Sequence, residues 1–316
     1  MKVLANDGIS STGVKALEAG GFEVITTKVA QEQLENYINE HQIDAILVRS
    51  ATTVRKDLID ACPSIKLIGR GGVGMDNIDV AYAREKGLHV VNTPAASSAS
   101  VAELVFAHLF TGVRYLYDAN RLMPLEGDSK FKDLKKNYAG GSELRGKTIG
   151  VIGFGRIGQE VAKIALGCGM KVVAHDTFTE NATIKVQFFD GQSLDFKVKT
   201  IPLDELLKQS DFVTLHVPAQ KDYVIGAAQL DLMKPGAGII NAARGGVIDE
   251  VALIKALDDN KIGFAGLDTF EEEPKPAVQV LMNPKVSLTP HIGAATHEAQ
   301  DRIGTELASQ IITLLG

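Results

Sequence analysis

The ten residues Ile149-Gly-Val-Ile-Gly-Phe-Gly-Arg-Ile-Gly158 constrain this chain more than any other stretch. An apolar run reads as a buried strand, a glycine turn follows, and a helical pattern begins after it. Gly153, Gly155 and Gly158 carry the spacing G-x-G-x-x-G. The first glycine permits the tight turn, the second lets a pyrophosphate lie against backbone, and the third lets the helix pack close to the strand. The helix N-terminus then faces the phosphates. The pattern alone is weak evidence. Here a second apolar run, Lys171-Val-Val-Ala-His, ends at Asp176, which lies 23 residues past Gly153. A dinucleotide fold places the carboxylate for the adenosine ribose 2′-OH at about that distance. Strand, turn, helix and acid together predict a dinucleotide-binding unit with NAD as cofactor.

The remainder of the chain alternates strands and helices in the manner of parallel α/β sheets. A first series contains Lys2-Val-Leu-Ala, Glu23-Val-Ile-Thr, Ala45-Ile-Leu-Val, Leu67-Ile-Gly and His89-Val-Val-Asn. Asn92-Thr-Pro94 breaks it, and a long apolar helix is expected over 100–117. A second series contains the glycine turn and the runs beginning at Phe212, Gly238, Phe264 and Val286. Pro290 breaks the chain again before a closing helix near 297–315. The first series has no late helix of its own, so the closing helix is expected to return to it. The chain would then cross twice between a substrate domain, 1–97 with 292–316, and a continuous cofactor domain, 98–291. Such crossings make a hinged cleft, where function usually lies. One segment departs from the alternation: residues 183–199 alternate apolar and polar around Asp190-Gly191, a strong hairpin signal.

The bulk composition excludes several functions. Hydrophobic residues are 45% and charged residues 23%, which suits an ordinary globular protein of about two domains. A net charge of −6 argues against general nucleic-acid binding. No apolar run reaches the ~18 residues that a membrane span needs. Cys62 and Cys168 have no metal-ligand or disulfide spacing, so no metal is expected and a cytoplasmic setting is.

Three further residues sit where strands end, at the edge on which open α/β sheets bind ligands. Arg244 follows Asn241-Ala-Ala, Glu273 lies in Asp268-Thr-Phe-Glu-Glu-Glu-Pro, and His291 follows Thr289-Pro. An arginine grips a carboxylate bidentately and polarises the adjacent carbonyl. A histidine held by a carboxylate moves protons near neutral pH. Taken singly, arginine and glutamate are usually solvated surface groups, and His291 reads equally well as a satisfied loop histidine. Spacing leaves both readings open. Histidines such as His41, His108 and His297 read as structural.

These motifs, in this order and spacing over nearly the whole chain, resemble the D-isomer-specific 2-hydroxyacid dehydrogenases. The resemblance implies two Rossmann-like domains, the first split and flavodoxin-like. It implies a catalytic triad of Arg244, Glu273 and His291. His291 would protonate the carbonyl oxygen in reduction and take the proton in oxidation, Arg244 would bind carboxylate and carbonyl, and Glu273 would hold His291. Besides the glycines, Arg156, Ile157, Asp176, His216, Ala242, Asp268 and Gly293 would lie near NAD. Within the family, Val48-Arg-Ser-Ala-Thr-Thr-Val-Arg55 and Ile68-Gly-Arg-Gly-Gly-Val-Gly-Met-Asp-Asn-Ile-Asp79 look most like the phosphoglycerate dehydrogenase branch. Gly71, Gly72 and Val73 would then bind the substrate carboxylate, with Arg49 and Arg70 on the substrate domain's face of the cleft.

The expected reaction is NAD-dependent oxidation of 3-phospho-D-glycerate to 3-phosphooxypyruvate, which opens L-serine synthesis. The same-class alternative is a glyoxylate or hydroxypyruvate reductase. An alternative of another class is a corepressor-like NAD-sensing binding protein. No nucleic-acid or membrane partner is expected. A homodimer is, through the helix at 100–117 and the basic arm 130–138, where Lys135 or Lys136 would add charge to the mate's phosphate pocket. The chain reaches only Gly316, so the regulatory domains of longer family members, and feedback through them, are not expected. The hairpin at 183–199 reads as an insertion.

Overall fold

A computed structural model describes residues 1–316. The chain divides into two compact units, Met1–Ser100 with Ala294–Gly316, and Val101–Gly293. Each is a parallel sheet covered by helices.

The first sheet contains β1 (Lys2–Ala5), β2 (Glu23–Ile25), β3 (Ala45–Val48), β4 (Leu67–Arg70) and β5 (His89–Asn92), in the order β2-β1-β3-β4-β5. Every pairing is parallel. All four residues of β3 are buried, as expected of a parallel strand covered on both faces, which reads as a continuous apolar run. Side chains alternate between the faces. Leu4, Ile46 and Ile68 join Leu34, Ile38 and Leu58 in one cluster. Val3, Leu47 and Leu67 join Leu17 with Ile303, Leu307 and Ile311 in the other. The last three belong to the closing helix, His297–Leu315, which Thr296 caps by accepting from Ala299 N–H at 3.1 Å. That helix packs directly on Ser11–Ala19. A Cβ on Gly13 would lie 2.8 Å from Gly304 Cα, so two facing glycines set this close approach.

The second unit contains β6 (Thr148–Ile152), β7 (Lys171–His175), β8 (Asn181–Gln187), β9 (Ser193–Lys199), β10 (Phe212–Leu215), β11 (Ala237–Asn241), β12 (Ile262–Leu267) and β13 (Val286–Leu288). Six of them form a parallel sheet in the order β13-β12-β11-β10-β6-β7. Strand order reverses between β6 and β10, which creates the crevice where such sheets bind ligands. β8 and β9 form a separate antiparallel hairpin with Ile184 opposite Phe196 and Val186 opposite Leu194. Its apolar face is anchored by buried Ile184 and Val198, whereas Leu194 and Phe196 are exposed.

One expectation needs correction. The apolar helix does not run over 100–117: it spans Ser98–Val113, and a new helix begins at Leu116 and ends at Glu126. The break has a local cause. Tyr115 adopts φ 54°, a left-handed conformation, and the Val113 carbonyl accepts from Ser142 N–H instead of continuing the ladder. The basic arm is itself a short helix over Phe131–Asn137, pinned by buried Leu134, with Lys135 and Lys136 exposed.

Candidate active site

Gly153 follows the last residue of β6. Its N–H donates to His175 O at 2.8 Å, and His216 N–H donates to Ile152 O at 2.7 Å. The turn therefore lies at the reversal of strand order. The three glycines have separate reasons to be glycine. Gly153 adopts φ +88°, and a Cβ there would lie 2.4 Å from His216 O. A Cβ on Gly158 would lie 2.2 Å from Gly153 O, so helix and turn touch there. A Cβ on Gly155 would meet nothing within 4 Å. That bare position sits at the start of helix Arg156–Gly167, which no side chain caps. Uncapped N–H groups, the positive end of the helix dipole and a missing side chain suit a pyrophosphate. The residues present therefore fit NAD. Arg156 is exposed and Ile157 half-buried on the same turn.

Asp176 follows β7 and leans back on the turn. Oδ2 accepts from Phe154 N–H at 2.6 Å, and Oδ1 accepts from Phe178 and Thr179 N–H at 2.7 and 2.8 Å. Burial works to raise its pKa, but these backbone donors prevail and hold the carboxyl below its usual range. Asp176 thus stays anionic and fixes the turn while presenting a charge beside it. His216 follows β10. Burial drives its imidazole down to about 3, and Nε2 contacts Thr214 Oγ1 at 3.0 Å.

Arg244, Glu273 and His291 follow β11, β12 and β13, three neighbouring parallel strands, so one sheet edge carries all three. His291 Nδ1 lies 2.8 Å from Glu273 Oε2, and Glu273 Oε1 accepts from Phe270 N–H at 3.1 Å. Burial works to raise the Glu273 pKa. The hydrogen bond and charge of His291, the Phe270 N–H and the charge of Arg244 outweigh it and lower the pKa. Glu273 therefore remains ionised, fixes the ring through Nδ1, and leaves Nε2 for proton exchange. Arg244 Nη1 donates to Ala243 O at 2.7 Å.

Two supporting residues were not singled out for these roles from sequence. Asn241, buried at the end of β11, donates to Arg244 O at 2.8 Å and accepts from Ala243 N–H at 3.0 Å, so it shapes the loop that carries the arginine. Its signal was a polar residue closing an otherwise apolar strand. Asp268, assigned to the cofactor from the resemblance, has both oxygens turned to the His291 loop. Oδ1 accepts from Thr289 Oγ1 at 2.6 Å and Ile292 N–H at 2.8 Å, and Oδ2 accepts from Gly293 N–H at 2.8 Å. Ala242 and Gly293 are buried at the same edge.

In the first unit, Arg70 closes β4 and Arg49 follows β3, at the carboxyl edge of that sheet. Arg49 N–H donates to Asp7 Oδ2 at 2.6 Å, and its carbonyl accepts from Asn77 Nδ2 at 2.8 Å. Arg70 Nη1 reaches Gly71 O at 3.3 Å. Gly72 has φ +143°, and a Cβ there would strike the Arg70 guanidinium. Gly71 and Gly72 are buried and Val73 is exposed.

Comparison with known proteins finds relatives over the whole chain. Residues 106–293, more than half of the chain, match the profile of the D-isomer specific 2-hydroxyacid dehydrogenase NAD binding domain. Hydroxypyruvate reductase of Thermotoga maritima is 41% identical over all of this chain and 98% of its own length. D-3-phosphoglycerate dehydrogenase of Methanocaldococcus jannaschii is also 41% identical over the whole chain, which spans only 57% of that relative. A solved acyclic imino acid reductase in complex with NADPH and D-Arg superposes with a TM-score of 0.83 at 30% identity, covering 100% of this chain and 97% of that one.

Proposed function

Because the chain belongs to the D-isomer-specific 2-hydroxyacid dehydrogenase family, we propose that its substrate is 3-phospho-D-glycerate, which it oxidises with NAD to 3-phosphooxypyruvate at the opening of L-serine synthesis. The observation that carries this reading is the pair Arg49 and Arg70 at the ends of adjacent strands β3 and β4. A phosphate needs more cationic partners than a hydroxymethyl group does. NAD supplies the hydride acceptor when bound. His291 accepts the C2 hydroxyl proton at Nε2, Glu273 stabilises the resulting imidazolium through Nδ1, and Arg244 grips the carboxylate and polarises the C2 oxygen. The balance is hydroxy acid plus NAD⁺ giving oxo acid, NADH and a proton.

A second reading, hydroxypyruvate or glyoxylate reduction, is favoured by the relative from Thermotoga maritima, which matches over 98% of its length. Steady-state rates with 3-phosphoglycerate, and with phosphooxypyruvate, hydroxypyruvate and glyoxylate in reverse, separate the two. One charge-assisted hydrogen bond contributes about 1.5–3 kcal/mol, so kcat/KM for the phosphorylated oxo acid should exceed that for hydroxypyruvate by roughly 10–100-fold. The opposite ranking overturns the phosphorylated substrate.

Asp176 sets the cofactor. Its anion accepts from a ribose diol and repels a 2′-phosphate, so NAD is expected over NADP. Asp176→Ala should narrow that gap through NADP affinity. It should also cost stability, about 1–3 kcal/mol, because Phe154, Phe178 and Thr179 N–H groups lose their acceptor. Equal wild-type efficiency with both cofactors would refute the assignment.

The working unit is a homodimer built through Ser98–Val113 and the arm that follows, with Lys135 or Lys136 entering the mate's phosphate pocket. Charge steering is screened beyond roughly 8–10 Å at physiological salt. Replacing both lysines with alanine should therefore raise the KM for 3-phosphoglycerate, spare that for NAD, and weaken the salt dependence of substrate capture. A monomer at assay concentration, or an unchanged KM, would remove the idea.

A further inference from the structure

His108 has no part in the chemistry described so far, yet it is 2% exposed and both ring nitrogens are engaged. It stands in helix Ser98–Val113, with Nδ1 2.8 Å from Ser287 Oγ and Nε2 3.0 Å from Thr289 Oγ1. The Thr289 hydroxyl donates its proton to Asp268 Oδ1. A hydroxyl has a single proton, so toward His108 the Thr289 oxygen must accept. The ring proton therefore sits on Nε2, and Nδ1 accepts from Ser287. Burial lowers the imidazole pKa, against the pull of Asp268, which agrees with a ring that carries one proton. Hydrogen bonds thus run in one direction from Ser287 through His108 and Thr289 to Asp268.

The far end of this file is the His291 loop. Asp268 accepts from Ile292 and Gly293 N–H, and His291 N–H donates to Thr289 O at 3.0 Å. Three bonds therefore fix the backbone on both sides of His291, which itself adopts φ 54°. The strand facing His108 makes room for the ring. A Cβ on Gly266 of β12 would lie 2.6 Å from His108 Cβ and 2.9 Å from its Cγ. A leucine would fill that space with no polar atom to satisfy, so packing alone does not require histidine.

We propose that His108 is a positioning residue for the dehydrogenase reaction: through Thr289 and Asp268 it sets the 289–293 segment and so aims the His291 imidazole at the substrate. This rests on the reading of His291 as the proton carrier. His108 does not touch the reacting atoms. It acts through the geometry of the loop, where a misplacement of about 1 Å costs up to about 100-fold in rate.

The test compares His108→Leu, His108→Gln, Thr289→Val and the His108→Leu/Thr289→Val double variant. The substrate is whichever of 3-phosphoglycerate and hydroxypyruvate the wild type turns over. His108→Leu should lower kcat about 10-fold and leave the KM for the cofactor within about twofold. The glutamine amide nitrogen reaches the place of Nε2, so His108→Gln should recover to within about threefold of wild type. Residues in one hydrogen-bond chain are non-additive, so the double variant should fall no further than the worse single one. NADH binding by fluorescence confirms the fold of each variant. If His108→Leu does not bind NADH, Thr289→Val decides by the same criteria. Near-wild-type kcat, no recovery with glutamine, or additive losses would each overturn the proposal. An active wild type that is sensitive at His291 and indifferent at His108 overturns the proposal alone. A wild type that turns over neither substrate overturns the dehydrogenase reading, and the proposal with it.

Discussion

Replacing His291 with asparagine is expected to lower turnover by about 10²–10⁴-fold with NADH binding intact, the usual worth of a positioned general acid–base. Asparagine is chosen for the backbone as much as for the side chain. His291 adopts φ 54°, a region that asparagine enters more readily than other non-glycine residues. The loop fixed by Asp268 should therefore persist, and the loss should fall on proton transfer. Glu273 provides an internal comparison. It contacts the His291 ring at Nδ1, so Glu273→Gln should keep the geometry, weaken stabilisation of the imidazolium, and cost less than His291→Asn. Stopped-flow traces with NADH would separate binding from hydride transfer. Near-normal turnover in His291→Asn would remove the residue from the mechanism.

Gly155→Val should produce the second large effect, this time on binding without unfolding. Position 155 has φ −77°, ordinary for any residue, and its Cβ meets nothing within 4 Å. Stability should stay within about 0.5 kcal/mol of wild type. The added side chain would occupy the approach of a pyrophosphate to the helix N-terminus. The Kd for NADH should rise about 100-fold or more, roughly 2.8 kcal/mol. Gly158→Ala makes the contrast, because its Cβ would lie 2.2 Å from Gly153 O and should depress Tm as well as binding. Titration and melting of the two variants side by side would check this. Unchanged affinity in Gly155→Val would mean that the cofactor does not cross that point.

Much of this architecture was legible because period and punctuation agree. The apolar runs at Lys2, Ala45, Thr148 and Gly238 are strands buried on both faces, and the alternation around Asp190-Gly191 is the hairpin of β8 and β9. The strand ends carrying Arg244, Glu273 and His291 could be read one at a time, whereas their shared edge depends on sheet order, which no local pattern encodes. The boundary at Val113 was illegible for a related reason. The residues after it keep an apolar helical look, but the turn depends on Tyr115 adopting a left-handed conformation and on Ser142, distant in sequence, taking the Val113 carbonyl. Asp268 and His108 show the same limit. Each is polar within an apolar stretch, and their hydrogen-bond partners lie up to 181 residues away.

The contact between Gly13 and Gly304 also bears on synthesis. One face of the first sheet is covered by Ile303, Leu307 and Ile311, residues made almost three hundred positions after β1. During translation that face stays open until residues 303–311 have been made and have left the ribosome. Residues 101–293 need nothing beyond themselves to complete their sheet, so the unit made second is the first able to finish folding. Val3, Leu47 and Leu67 meanwhile remain without their final cover, and a nascent chain stalled before residue 303 should be the form of this protein most dependent on chaperones.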